Sequence, residues 1–258
     1  MVDFAKYLTV FDSLYANAYL FISIFHLIAA GLLLIFFEPI SKKDAKKQEL
    51  LSPSLSDSEI RSLFRLAVII GVIAYAIMAM IMTATPLAMK ASLFSIEQIK
   101  WVIQAHILAM YIPSLFTAKM VKSMGIHKML IAGLLLMVLS LMIALISRTF
   151  SHFIFSLIFL GLGWNVLFLS GTTLLSQTYS NATRFKAQGR FDLMISLAQT
   201  SSVFASGIIF SLFGWDNLLL IALIPLFFLM IHSLKFLDQL PKLLCCNTRL
   251  IHILKKQE

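Results

Sequence analysis

Uninterrupted apolar runs of about 20 residues dominate this chain, and they leave it few ways to fold. Residues 18–37 read AYLFISIFHLIAAGLLLIFF, with His26 deep inside, and residues 128–147 read KMLIAGLLLMVLSLMIALIS, with Ser140 at the middle. Runs of that length match a helix crossing a hydrocarbon layer of about 30 Å. Lipid offers no partner to a backbone N–H or C=O, so each crossing segment must pair its own groups as a helix. A transmembrane barrel would alternate apolar and polar residues instead. Composition agrees: 60% of residues are hydrophobic, 13% are charged and the mean hydropathy is +0.92, whereas a soluble domain is about half apolar and a quarter charged. The pattern predicts an all-α integral membrane protein with seven transmembrane helices. They are placed at about 18–37, 64–86, 98–118, 128–147, 152–176, 191–213 and 216–234.

Between the first two runs lies one long polar segment, EPISKKDAKKQELLSPSLSDSEIRSL, at 38–63. Its Ser-Asp-Ser-Glu at 56–59 has the spacing of a helix start. The organisation predicted is an extracellular N-terminal segment and first helix over 1–37, a cytoplasmic basic linker over 38–63, a six-helix unit over 64–234 and a cytoplasmic basic tail over 235–258. The first 17 residues have no basic n-region followed by a small-residue cleavage site, so no signal peptide is expected. The two cysteines, Cys245 and Cys246, are adjacent and follow the last run; they do not make a disulfide framework.

A net charge of +9 raises the question of nucleic acid, but its distribution answers to topology. With the long linker placed in the cytoplasm, only Lys6, Lys90, Lys100 and Arg148 fall outside, and the remaining Lys and Arg lie on the inner side. That bias follows the positive-inside rule at every loop. It predicts an N terminus outside and a C terminus inside. The basic loops also lack the size and aromatic interleaving of a nucleic-acid module, so no nucleic-acid partner is expected.

The runs are of two kinds. The first, fourth and seventh are almost pure hydrocarbon, whereas the third, fifth and sixth carry Gln, Asn, Thr, Ser, Trp and Gly. Polar groups at membrane depth face a bundle interior or an aqueous cavity. At 100° per residue, Asp192, Ser196, Gln199, Val203 and Ser206 make one stripe, and Gly161, Asn165, Phe168, Thr172 and Ser176 make another. Gly163, Ser170 and Gly171 lie elsewhere on the fifth run, where small residues suit close packing. The third run has two polar faces, one of Trp101, Gln104 and Tyr111, the other of His106, Pro113 and Thr117. Each triplet after the linker (runs two to four, and five to seven) ends in an apolar helix, the hydropathy symmetry of an inverted repeat.

A basic linker followed by six spans in two triplets resembles the C-terminal half of a major facilitator superfamily transporter. Four strings carry the resemblance: MTATPLAM (82–89), IQAHILAMYIPSLFTAKMVKSMG (103–125), GLGWNVLFLSGTTLL (161–175) and RFKAQGRFD (184–192). They are similar to a bacterial subgroup that includes riboflavin importers. The resemblance implies helices six to twelve of a twelve-helix protein, located in the cell (inner) membrane. It implies alternating access around a midplane site, a small organic solute with riboflavin as the guess, and either a second half supplied separately or a second copy of the chain. Segment 118–128 stands where the family has Gly-x-x-x-Asp-Arg-x-Gly. Gly125 matches the last glycine, while Ala118, Lys122 and Ser123 replace the first glycine, the acid and the arginine, so the charged pair of the usual gate latch is not present in this segment.

Trp101, Gln104, Tyr111, Trp164, Asn165, Thr172 and Gln199 are the expected cavity residues. Amides and a phenol suit hydrogen bonds to a neutral ring-bearing solute, and the indoles suit stacking; the other reading of each is a bond between helices. His106 has two readings, a titrating group in a proton-coupled cycle or a hydrogen bond between helices. Asp192 is either a coupling carboxylate or a favourable charge at a helix N-terminus. Gly125, Pro86 and Pro113 are candidate gating or hinge positions. The sequence shows no Cys/His ligand cluster, no glycine-rich phosphate loop and no Ser/His/Asp spacing, so it predicts no metal, no cofactor and no catalytic site. A seven-helix receptor, or another membrane protein that does not transport, is the alternative that the span count allows.

Overall fold

The computed structural model describes residues 14–36, 56–180 and 183–237. The chain divides into two compact units, Met1–Leu50 and Leu51–Glu258. In the first unit, helix α1 spans Leu14–Phe36. Its His26 Nδ1 lies 2.8 Å from Ile22 O, one turn back, so its own helix supplies a partner for that imidazole nitrogen.

The second unit holds α2 (Asp57–Ala91), α3 (Ile96–Tyr111), a 3₁₀ turn (Ile112–Phe116), α4 (Thr117–Ile146), α5 (Phe150–Ser176) and α6 (Arg184–Leu237). No strand occurs among the described residues, and the predicted all-helical class holds. Five helical stretches here are long and apolar enough to cross a membrane. The fifth, Arg184–Ser233, has 50 residues. A continuous helix of that length would run about 75 Å, more than twice the hydrocarbon thickness. It does not run straight, because Gly214 sits at φ 77°, ψ −179°, a region open essentially to glycine alone. The sixth and seventh predicted spans are therefore separate helices joined at one residue.

Three boundaries differ from the sequence reading. First, α2 begins at Asp57 instead of 64, so the end of the linker is helical; residues 38–55 lie outside the described residues. The Ser56 hydroxyl accepts from the Glu59 amide, and the Glu59 carboxylate accepts from the Ser56 amide at 2.8 Å, which satisfies the first turn. Second, 118–128 is not a loop. It is helix on both sides of Gly125 alone, at φ 72°, ψ 162°, because glycine turns the chain in a single residue. Third, the third span stops being α-helical at Tyr111. Pro113 has no N–H to continue the ladder, and the chain tightens into the 3₁₀ turn. Pro86 lies inside α2 without ending it. The tail beyond Leu237, with Cys245 and Cys246, lies outside the described residues. Ser56→Ala is expected to cost about 1 kcal/mol of helix stability. Faster hydrogen exchange of the 57–60 amides, with the rest of α2 unchanged, would show it.

Helix α5 is the centre of the second unit, packed against α2, α3 and α4, while α6 packs on α2 and α4. Lipid tails are as apolar as leucine, so these helices are held by fit and by buried hydrogen bonds. Glycines set the fit. A Cβ on Gly161 would lie 2.8 Å from His106 O of α3, and one on Gly163 would lie 2.9 Å from Met137 N of α4. Gly171 faces Ala67 O of α2 at 3.3 Å. Ser140, the polar group in the middle of α4, is fully buried and donates to Ser156 O at 2.7 Å. Ser206 donates to Met80 O at 2.8 Å, tying α6 to α2. The opposite face of the last helix (Ile224, Phe227, Phe228, Ile231) is exposed hydrocarbon, suited to lipid.

Candidate functional site

The candidate residues sort into two groups. One group pairs helices. His106 is fully buried on the α5 side of α3, with Nδ1 2.8 Å from Leu157 O. Asn165 is also buried on α5 and donates from Nδ2 to Met110 O at 2.7 Å and to Ser114 Oγ at 2.6 Å. Thr172 belongs to neither group by its bonds, since its Oγ1 donates to Phe168 O of its own helix at 3.0 Å. The stripe through Gly161 and Asn165 thus faces α3. A buried polar group left without its partner costs about 1–3 kcal/mol. His106→Leu is therefore expected to lower stability by about that amount, read as a drop in the thermal midpoint, with His106→Gln recovering part of it.

The other group faces outward from the helices of this unit. Trp101 and Tyr111 are 56% and 62% exposed, and Gln104 between them is half-buried. On α6, Asp192 and Ser196 are exposed and Gln199 is half-buried. An exposed amide, phenol or carboxylate on a helix of membrane-spanning length is costly against hydrocarbon.

Between these faces lies an aromatic cluster that the sequence reading had only in part. Trp164 is 5% exposed. Its ring stacks on Phe168 at 5.4 Å with an interplanar angle of 8°, and Tyr75 of α2 meets it edge-on at 5.0 Å. Phe168 and Tyr75 also meet edge-on, at 5.2 Å. Tyr111 and Asp192 lie within electrostatic range of the Tyr75 hydroxyl. Trp164 and Phe168 are four residues apart, one above the other on the helix, a spacing that was readable. Tyr75 is the one phenol in the second span and sits in its apolar middle, and that was its signal. Trp164 Nε1, Asn165 Oδ1 and His106 Nε2 make no hydrogen bond among the described residues.

Trp101 does not join this cluster. Helices α3 and α5 run parallel, with His106 beside Leu157 and Met110 beside Asn165. Trp164 is thus level with the end of α3, roughly 15 Å along the axis from Trp101. Trp101 sits beside the Lys100 ammonium, 6.0 Å from its ring centre, and Lys100 pairs with Glu97 at 2.6 Å. An aromatic with a charged neighbour at a helix end suits the membrane–water interface. Gly125 forms the α4 break, and Pro113 lies in the turn next to Ser114. Among the described residues no three His, Cys, Asp or Glu side chains are grouped to hold a metal.

The fold and these faces define a polytopic helical membrane protein built round one central helix. A sequence profile of the Major Facilitator Superfamily matches residues 67–243, and the chain belongs to that superfamily. It is 34% identical over 211 residues to a protein named riboflavin transporter RfnT from Brucella anthropi, covering 81% of this chain and 53% of that one. It is 33% identical over 199 residues to an uncharacterized MFS-type transporter, YddS, from Bacillus subtilis, covering 71% and 45%. A riboflavin transporter, RibZ, from Clostridioides difficile is 25% identical over 127 residues, covering 49% and 28%. The chain spans about half the length of the first two of these curated relatives.

Proposed function

We propose that the chain forms one wall of a membrane transporter, the C-terminal half of a major facilitator, and moves a small ring-bearing organic solute of the riboflavin kind. The observation that carries the reading is the partition of polar groups. Those that bond helices together are turned inward, while Gln104, Tyr111, Asp192, Ser196 and Gln199 lie toward the outside of the described helices. Polar groups at membrane depth on an outward face call for a second wall and an aqueous path between. A second half, or a second copy of the chain, supplies that wall, and rocking of the two walls gives alternating access. The names of the two riboflavin transporters support the solute class. The inner membrane is the expected site, with the N terminus outside and the basic linker and tail in the cytoplasm.

The test is flavin uptake into proteoliposomes. The chain is reconstituted alone and together with the part of the Brucella anthropi relative that lies outside the match. Saturable uptake in the combined preparation is the expected result. A combined preparation that assembles but transports no flavin would remove the solute assignment.

Asp192 is the exposed acid on the outward face, and we assign it to coupling. Asp192→Asn is expected to lower uptake by roughly tenfold, a mid-range coupling free energy, and to flatten its dependence on an imposed pH gradient. Unchanged uptake with unchanged pH dependence would leave Asp192 a helix-terminus charge only.

A further inference from the structure

A second place on the molecule is built from charge. Where α2 begins, a cavity of about 820 Å³ opens between its first turns and the connection from α5 to α6. Arg61 and Arg65 of α2 line one side, Lys186 and Arg190 of α6 line another, and Tyr179 and Phe64 complete the wall. No acid is among the lining residues. Among the described residues the side-chain ion pairs are Lys100–Glu97 and Arg148–Asp216, neither of which involves these four cations.

The nearby acids are otherwise placed. The Glu59 carboxylate is occupied by the Ser56 amide and hydroxyl, both at 2.8 Å. Asp57 lies in the first turn of α2, and Asp192 belongs to the outward face of α6. The Tyr179 hydroxyl accepts from Gln188 Nε2 at 3.3 Å, which leaves its own proton to donate. Arg65 spends only its Nε, on Arg61 O at a long 3.4 Å.

Charge bias at a membrane face requires only that Lys and Arg lie on one side. It does not require four of them to converge on one cavity from helices more than 100 residues apart in the chain. Like charges brought together in this way repel unless an anion sits among them. Guanidinium forks match the oxygens of a phosphate, which two of them can hold bidentately. The cavity is far larger than a phosphate ion, and Phe64 offers apolar contact to whatever the phosphate is attached to.

We propose that this cavity binds a phosphate ester, held by Arg61, Arg65, Lys186 and Arg190 with the Tyr179 hydroxyl, at a site apart from the Trp164 cluster. A phospholipid headgroup and a soluble organic phosphate present the same chemistry, and the experiment separates them. The full chain is purified in a neutral detergent. One arm counts retained phosphatidylglycerol against phosphatidylcholine by native mass spectrometry. The other titrates glycerol 3-phosphate and inorganic phosphate, following the thermal midpoint.

Saturable binding in at least one arm is expected. It should weaken about tenfold or more in the Arg65→Gln/Arg190→Gln double variant, because each charge-assisted bond lost is a strong one. Lys90→Gln, at the other end of α2, should bind like wild type. Binding confined to the first arm identifies a lipid headgroup, and binding confined to the second identifies a soluble ester. Arg65→Lys/Arg190→Lys keeps the charge without the forks, and it should fall between the two if the Gln pair proves unstable. No saturable binding in either arm overturns the proposal. So does wild-type affinity in both double variants, or an equal loss in Lys90→Gln.

Discussion

Gly163→Leu is expected to disassemble the six-helix unit, lowering its stability by about 3 kcal/mol or more. A Cβ at this position would lie 2.7 Å from Met137 Cγ, 2.9 Å from Met137 N and 3.0 Å from Gly133 O. Two of those three atoms are backbone and cannot rotate away. Nor can α4 retreat freely, because Ser140 is hydrogen-bonded to Ser156 of α5 at 2.7 Å. Even alanine sets two effects against each other. It gains about 1 kcal/mol of helix propensity over glycine, and it meets an overpacking cost of about 1–3 kcal/mol. With contacts this short the cost wins, so Gly163→Ala should also destabilise. Gly207 is the control, because nothing lies within 4 Å of its Cβ position. Gly207→Ala should be neutral or stabilising by up to about 1 kcal/mol. Thermal midpoints from size-exclusion profiles in detergent compare all three. A Gly163→Ala protein as stable as wild type would mean that the α4–α5 approach is looser than the structure has it.

The sequence carried the helices well because the apolar runs answer to bilayer thickness, a constraint that acts on each segment separately. It carried the ends less well. Gly125 and Gly214 each turn the chain in one residue, and a hydropathy average over about 20 residues cannot resolve a one-residue break. The 3₁₀ turn at Ile112–Phe116 is apolar enough to read as more of the third span, and only Pro113 hinted otherwise. The capping box at Ser56 and Glu59 was legible because it is local. Partners are not local. Asn165 lies on a stripe that the helical angle locates correctly, but whether that stripe meets α3 or open space depends on which helix lies beside it, and angle alone carries no such information. For His106 the residue type alone left a titrating group and a bond between helices both open, and the neighbour, Leu157 O of α5, lies 51 residues further along the chain. The Tyr75–Trp164–Phe168 cluster spans two helices separated by nearly 90 residues of chain, so only half of it could be read from one helix. The four-cation cavity combines both difficulties: its residues were counted for topology, and their convergence appeared only in three dimensions.

Trp164 is where stability and solute recognition can be separated by two substitutions. Trp164→Ala removes a ring that is 5% exposed and in contact with two others. The aromatic contacts are worth about 0.5–1.5 kcal/mol each, and truncations of this size cost about 3–5 kcal/mol in soluble cores. In a bilayer the transfer part shrinks, because lipid is as apolar as the protein interior, but the lost packing remains. Trp164→Ala should therefore lower the thermal midpoint and abolish flavin uptake in the reconstituted two-part preparation. That result alone would not distinguish a binding residue from a packing one. Trp164→Phe does. It keeps a six-membered ring against Tyr75 and Phe168 but removes the pyrrole part of the indole, and with it Nε1–H, the donor with no partner among the described residues. If that donor meets the solute, losing it removes about 1–1.5 kcal/mol of binding, so the KM for flavin should rise roughly tenfold while the midpoint falls less than in Trp164→Ala, by the packing of the lost atoms alone. If the ring only packs, the KM should follow wild type and the midpoint alone should fall, through the cavity that the smaller ring leaves. A raised KM in a Trp164→Phe protein that still folds and assembles would place the solute against the stacked face of α5. Wild-type KM in Trp164→Phe would move the solute contact outward, to Tyr111 and Gln199.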